Sequence, residues 1–166
     1  MATSKTLNDL FLDTLKDIYF AEKQILKALP KMARAAQSEE GRAGFLKHRD
    51  ETQGQIERLE QVFELLGKPA RGKTCEAIQG IIAEGEEIME EYKGTAALDA
   101  GLISAAQAVE HYEIARYGTL ITWAKQIGLN DAVALLQANL AEEEATDKKL
   151  TELALASANA KGQKAA

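Results

Sequence analysis

Apolar residues recur in steps of three and four along four long stretches of this chain, and on each stripe an acid stands where a hydrophobe belongs. Such spacing lays side chains along one face of an α-helix, and that face must be covered by another helix. The first stripe runs Leu7, Phe11, Leu15, Ile18, Glu22, Ile25, Leu29 and Met32. The second holds Phe45, His48, Thr52, Ile56, Leu59, Phe63 and Leu66, with Glu51 at its border. On the third, Glu110 and Glu113 interrupt Ile103, Ala106, Tyr117, Leu120 and Ala124. On the fourth, Glu143 and Asp147 interrupt Val133, Leu136, Leu140, Leu150 and Ala154. A buried carboxylate without a partner is costly, so it must protonate, pair, or hold a cation. Bases are scarce on these faces, and a metal pair is the simplest answer.

The punctuation between stripes sets the topology. The first helix is predicted to begin near Thr6, with Asp9 three positions on as a short capping box, and to kink at Pro30 rather than end there, because the apolar spacing continues beyond it. Ser38-Glu39-Glu40-Gly41 reads as a turn into a second helix over 41–66, closed by Gly67-Lys68-Pro69. Thr74 is the expected cap of a shorter crossover helix reaching about Tyr92, with Ile78, Ile81, Ile82, Ile88 and Met89 inward and Gly94 as its stop. A third long helix over 95–126 ends at Gly128, and Asn130 is expected to cap the last. Two antiparallel hairpins joined by so long a crossover give an all-α, ferritin-like four-helix bundle with an additional short helix in the crossover. The bundle is expected to occupy 1–158, leaving 159–166 as a flexible tail.

Composition narrows the function classes. Acids outnumber bases, for a formal charge of −6, which disfavours binding to a phosphate backbone and favours cations. The single cysteine, Cys75, excludes an internal disulfide framework and a zinc–thiolate cluster, and reads as a small core residue. The first residues are polar, and no apolar run approaches the ~18 residues of a membrane span. A cytoplasmic protein without nucleic-acid or membrane partners is the expectation.

Di-iron carboxylate bundles place one Glu on each of two helices and a Glu-x-x-His pair on each of the other two. Divalent iron and manganese favour carboxylate oxygen with some imidazole, and spacings of three or four stack two ligands on one face. The candidate ligands here are Glu22, His48, Glu51, Glu110, Glu113, Glu143 and Asp147, around two iron ions or manganese. Glu143 is preferred to Glu144 because it lies on the Leu136/Leu140/Leu150 line. The second helix lacks a Glu-x-x-His pair, and His48, Glu51 or both can serve. His111 falls off the stripe. Tyr19, Tyr112 and Tyr117 read as packing or hydrogen-bonding groups. The six acids, if all ionised at one site, would balance two ferric rather than two ferrous ions.

Four stretches carry a resemblance. Leu15-Lys16-Asp17-Ile18-Tyr19-Phe20-Ala21-Glu22-Lys23-Gln24, the segment from Glu51 to Glu60, Glu110-His111-Tyr112-Glu113-Ile114-Ala115-Arg116-Tyr117-Gly118 and the segment from Leu140 to Leu150 resemble the YciE/YciF family of bacterial ferritin-like proteins, over about residues 7–156. That resemblance implies a ferritin-like bundle, a homodimer and an association with bacterial stress responses. The E-x-x-E of Glu110 and Glu113 is also similar to rubrerythrin, although neither Glu-x-x-His pair nor a rubredoxin-like cysteine module is present. The function expected is a dinuclear non-haem metal protein that oxidises Fe(II) or consumes peroxide or oxygen. Two alternatives are a non-enzymatic structural or stress protein with an acidic core, and miniferritin-like iron storage.

Overall fold

The structure, a computed structural model, describes residues 4–164; residues 1–3 of the polar N-terminal stretch and 165–166 of the expected tail lie outside it. Every regular element among the described residues is helical: α1 (Leu7–Ala35), α2 (Glu39–Leu65), α3 (Glu76–Glu91), α4 (Leu98–Gln126), α5 (Asn130–Leu153), a π-helical turn (Ala154–Ala158) and α6 (Asn159–Gly162). Helix α1 packs on α2, and α4 on α5; contacts of α2 with α5 and α1 with α4 close the four-helix bundle. The crossover helix α3 lies on α4 and α1. This is the expected ferritin-like arrangement.

The stripes do the packing the sequence suggests. Phe11, Leu15 and Ile18 of α1, Leu59 and Phe63 of α2, Leu102 and Leu120 of α4 and Leu136 of α5 are fully buried. Each such side chain contributes roughly 1.5–3 kcal/mol relative to exposure. The capping box at Thr6 and Asp9 forms, and α1 runs through Pro30 to Ala35.

Several boundaries differ from the sequence reading, each for a local reason. Helix α2 begins inside the expected turn, because Ser38 caps it by accepting from the Gly41 N–H at 3.1 Å. The Asp99 carboxylate supports the same junction from α4, accepting the Gln37 and Ser38 N–H groups at 2.8 Å each. Cys75, not Thr74, caps α3, its Sγ accepting from the Ile78 N–H at 3.4 Å. Helix α4 starts at Leu98, since the Thr95 hydroxyl turns back to the Tyr92 carbonyl. Asn130 is the first residue inside α5 rather than its cap. The inner face of α5 is also rotated: Ala132, Leu136, Asn139, Glu143 and Leu150 are buried, while Val133, Leu140 and Ala154 are only partly so. The chain continues as α6 into the segment 159–166 expected as a tail. The wide π turn brings Ala158 into the core, and Gly162 approaches α4 so closely that a Cβ there would stand 3.3 Å from Ala97 Cα.

Candidate metal centre

Four helices converge their acids at one level of the bundle. Helix α1 brings Glu22, α2 brings His48, α4 brings Glu110 and Glu113 one turn apart, and α5 brings Glu143; all five are buried, none more than 4 % exposed. Within this group, ligand atoms of His48, Glu110, Glu113 and Glu143 all lie within 4.8 Å of one another. Each residue sits in mid-helix, where backbone hydrogen bonds are already made and the side chain alone must find a partner.

Most find none. Both oxygens of Glu113 and of Glu143, one each of Glu22 and Glu110, and both ring nitrogens of His48 have no hydrogen-bond partner. His48 Nε2 approaches Glu110 Oε1 at 2.9 Å and Glu143 Oε2 at 3.9 Å, but not in hydrogen-bonding alignment. Burial pushes the carboxyls of Glu113 and Glu143 well above the usual range, and crowding by neighbouring carboxylates adds to it. Burial likewise raises Glu22 to about 7, although its close approach to Glu113 and the hydrogen bond from Tyr117 hold it back. Burial also opposes the His48 imidazolium, yet the carboxylates of Glu110 and Glu51 outweigh it and lift His48 to about 10.

A polar layer orients the cluster. The Tyr117 hydroxyl donates to Glu22 Oε1 and accepts from Asn139 Nδ2 at 3.1 Å. Asn139 Nδ2 also donates to the Gln55 carbonyl at 3.2 Å, tying α5 to α2. Arg58 does not neutralise the buried acids. Its guanidinium donates to Glu142 at 2.7 Å and to Asn139 Oδ1 at 2.9 Å, outside the cluster.

Two predicted ligands are less buried than the rest. Asp147 is partly exposed, accepting from Gln107 Nε2 at 3.3 Å, with His111 Nε2 3.2 Å away. It lies on the Val133/Leu140 edge of the rotated α5 face, where polar neighbours are available. Glu51 sits on the rim, 2.9 Å from Lys47 Nζ and 3.8 Å from His48 Nδ1; His48 first, with help from Lys47, holds its carboxyl down at about 2. Glu143 is fully buried and Glu144 exposed, as the stripe predicts, and His111 is exposed. Sequence reasoning passed over Asn139; its signal was its place one turn before Glu143 on the same face.

The donor set suits a divalent first-row metal ion. It offers hard carboxylate oxygens and one imidazole, and His48 is the one buried base among the described residues. Of the six candidate acids, Glu22, Glu110, Glu113 and Glu143 are buried, while Glu51 and Asp147 are half-buried.

The chain matches the model of a domain of unknown function (DUF892) over residues 6–163. It is 47 % identical to Protein YciF of Escherichia coli (strain K12) over 160 residues, which is 96 % of either chain. The crystal structure of the E. coli stress protein YciF superimposes with a TM-score of 0.89, at 47 % identity, over 94 % of this chain and 99 % of the other. YcfI from Rhodopseudomonas palustris is similar at 51 % identity and a TM-score of 0.87, over 89 % of this chain and 94 % of the other. A Xanthomonas campestris protein at 22 % identity and a TM-score of 0.69 shares the fold.

Proposed function

Because the chain belongs to the DUF892 family and buries four carboxylates around a single histidine, we propose that it is a stress-associated protein built around a dinuclear non-haem metal centre, most naturally di-iron. Glu22, Glu110, Glu113, Glu143 and His48 would hold the ions, with Glu51 completing the set from the rim. When bound, two Fe(II) ions would supply two electrons, enough with two protons to reduce dioxygen to hydrogen peroxide or hydrogen peroxide to two waters.

The protein's own part is positioning. The Tyr117 hydroxyl keeps one Glu22 oxygen occupied and leaves the other free towards the cluster. Asn139 fixes that hydroxyl, and the packed core above and below excludes bulk water. Helices that hold ligands in mid-span cannot relax them outward without breaking backbone bonds, so the site is preorganised.

The carrying observation is the set of buried carboxylate oxygens and imidazole nitrogens without partners. Anaerobic loading with Fe(II), followed by elemental analysis and exposure to oxygen, tests the reading. Two irons per chain and the absorption of a bridged diferric centre are expected. A chain that takes up no stoichiometric metal, and is no more stable with it, would instead use these acids as a protonated structural network.

A further inference from the structure

Two openings reach the cluster, one with charged side chains among its lining and one apolar between its outer ion pair and the cluster. One lies between α2 and α5, where Phe45, Leu150 and Leu153 share the lining with Lys47, Glu51 and Lys149, whose charges give ions and hydrated molecules polar partners on the way in. The other runs between α1, α3 and α4. Its outer end is straddled by the Lys31–Glu86 ion pair at 3.1 Å, both side chains about half exposed. Inward it is walled by Ile25, Leu29, Ile82, Met89 and Val109, and it ends on His48 and Glu110. The cavity is about 30 Å³, room for roughly two water-sized molecules.

From this pairing we propose that the α1/α3/α4 cavity is the path by which dioxygen, rather than peroxide, reaches the cluster. The inference rests on the metal-centre reading and names its oxidant. Solvation decides between the two molecules. Hydrogen peroxide carries two hydroxyls, and stripping a hydroxyl of its hydrogen bonds in an apolar passage costs roughly 1–3 kcal/mol by mutational scales. Dioxygen makes no hydrogen bonds worth losing, and apolar cavities of this kind take up small apolar guests while excluding water. Water, cations and peroxide are left the Glu51 mouth. The crossover helix supplies one wall of the apolar path, which gives α3 a role that closing the bundle does not require.

Xenon is the probe for the cavity, because it reports a small apolar site without any metal. Under xenon pressure, methyl resonances of Ile25, Leu29, Ile82 and Val109 in the metal-free protein are expected to shift saturably. Ala28, which lines the passage, is the place to plug it. Ala28→Phe should abolish the xenon shifts and leave iron stoichiometry unchanged. In the loaded protein it should slow oxidation by dioxygen about tenfold or more and leave oxidation by peroxide within about twofold. The widening variant Met89→Ala should keep xenon binding and react with dioxygen no more slowly than the parent. Absence of xenon shifts in the parent, or equal slowing of both oxidants by Ala28→Phe, would overturn the proposal. Failure to load iron would sink the metal centre, while the xenon result is read without it.

Discussion

At the scale of single residues, the cluster looks like a place where stability has been given up for binding. Glu113 is the sharpest case, with neither oxygen partnered and its carboxyl forced well above the ordinary range by burial. Glu113→Gln removes the ionisable group and adds a donor aimed at neighbouring carboxylates. It is expected to stabilise the metal-free protein by ~1 kcal/mol or more in denaturant titration and to abolish stabilisation by added iron. A variant that loses stability without metal would mean the acid has a structural partner. Proton linkage gives a second expectation. Glu22 has its folded value raised from 4.5 to about 7, and Glu113 and Glu143 shift the same way. Between these limits the unfolded chain surrenders protons that the native chain keeps, so stability falls as pH rises. His48, raised from 6.5 to about 10, extends the fall through that window. Glu51 acts oppositely, but its contribution is lost only as pH drops from 4.5 towards 2. The urea midpoint of metal-free protein should therefore decline steadily from about pH 5 to 8, at up to ~1.4 kcal/mol per pH unit for each proton retained. A flat profile would remove the buried acids from the account. These acids were legible because Glu22, Glu110, Glu113 and Glu143 each break an apolar stripe. Asp147 stands half-buried because the inner face of α5 is rotated from the stripe through Val133 and Leu140, and on that edge Gln107 and His111 stand ready.

At the scale of elements, helix existence and order were readable, and helix ends were not. Apolar spacing is carried by the segment itself, whereas a cap depends on what the rest of the fold brings nearby. Cys75 caps α3 while its Sγ also meets the Tyr112 hydroxyl at 3.0 Å, a contact no local pattern contains. Asp99 bonds to the α1–α2 junction from 61–62 residues away. Asp99→Ala should cost about 1–2 kcal/mol and fray the start of α2, as seen by amide exchange at Gly41 and Arg42; unchanged exchange there would show that Ser38 suffices. The seating of α3 makes a similar point. At Gly101 an added Cβ would fall 2.6 Å from Ile88 Cγ2, so Gly101→Ala is expected to lever α3 off α4 at a cost of roughly 1–3 kcal/mol, measured by thermal unfolding. Stability equal to the parent would show that Ile88 swings aside freely. The rotated face of α5, with Asn139 buried in place of Leu140, follows from the polar layer around Tyr117, which rewards an amide over a methyl group there.

At the scale of the whole molecule, a bundle of this family is expected to work as a homodimer, and light scattering should return twice the 18.0 kDa chain mass; a dodecamer would favour a storage cage instead. The feature with the widest reach is that the cluster draws one or more side chains from each of α1, α2, α4 and α5. Whatever fills it crosslinks both hairpins at once, so its loss would slacken the entire bundle rather than one loop. Proteases degrade the opened form of a protein in proportion to how often it opens. The lifetime of this chain in a cell would then rise and fall with the supply of whichever metal fills the cluster, making its abundance a record of that supply written by turnover alone.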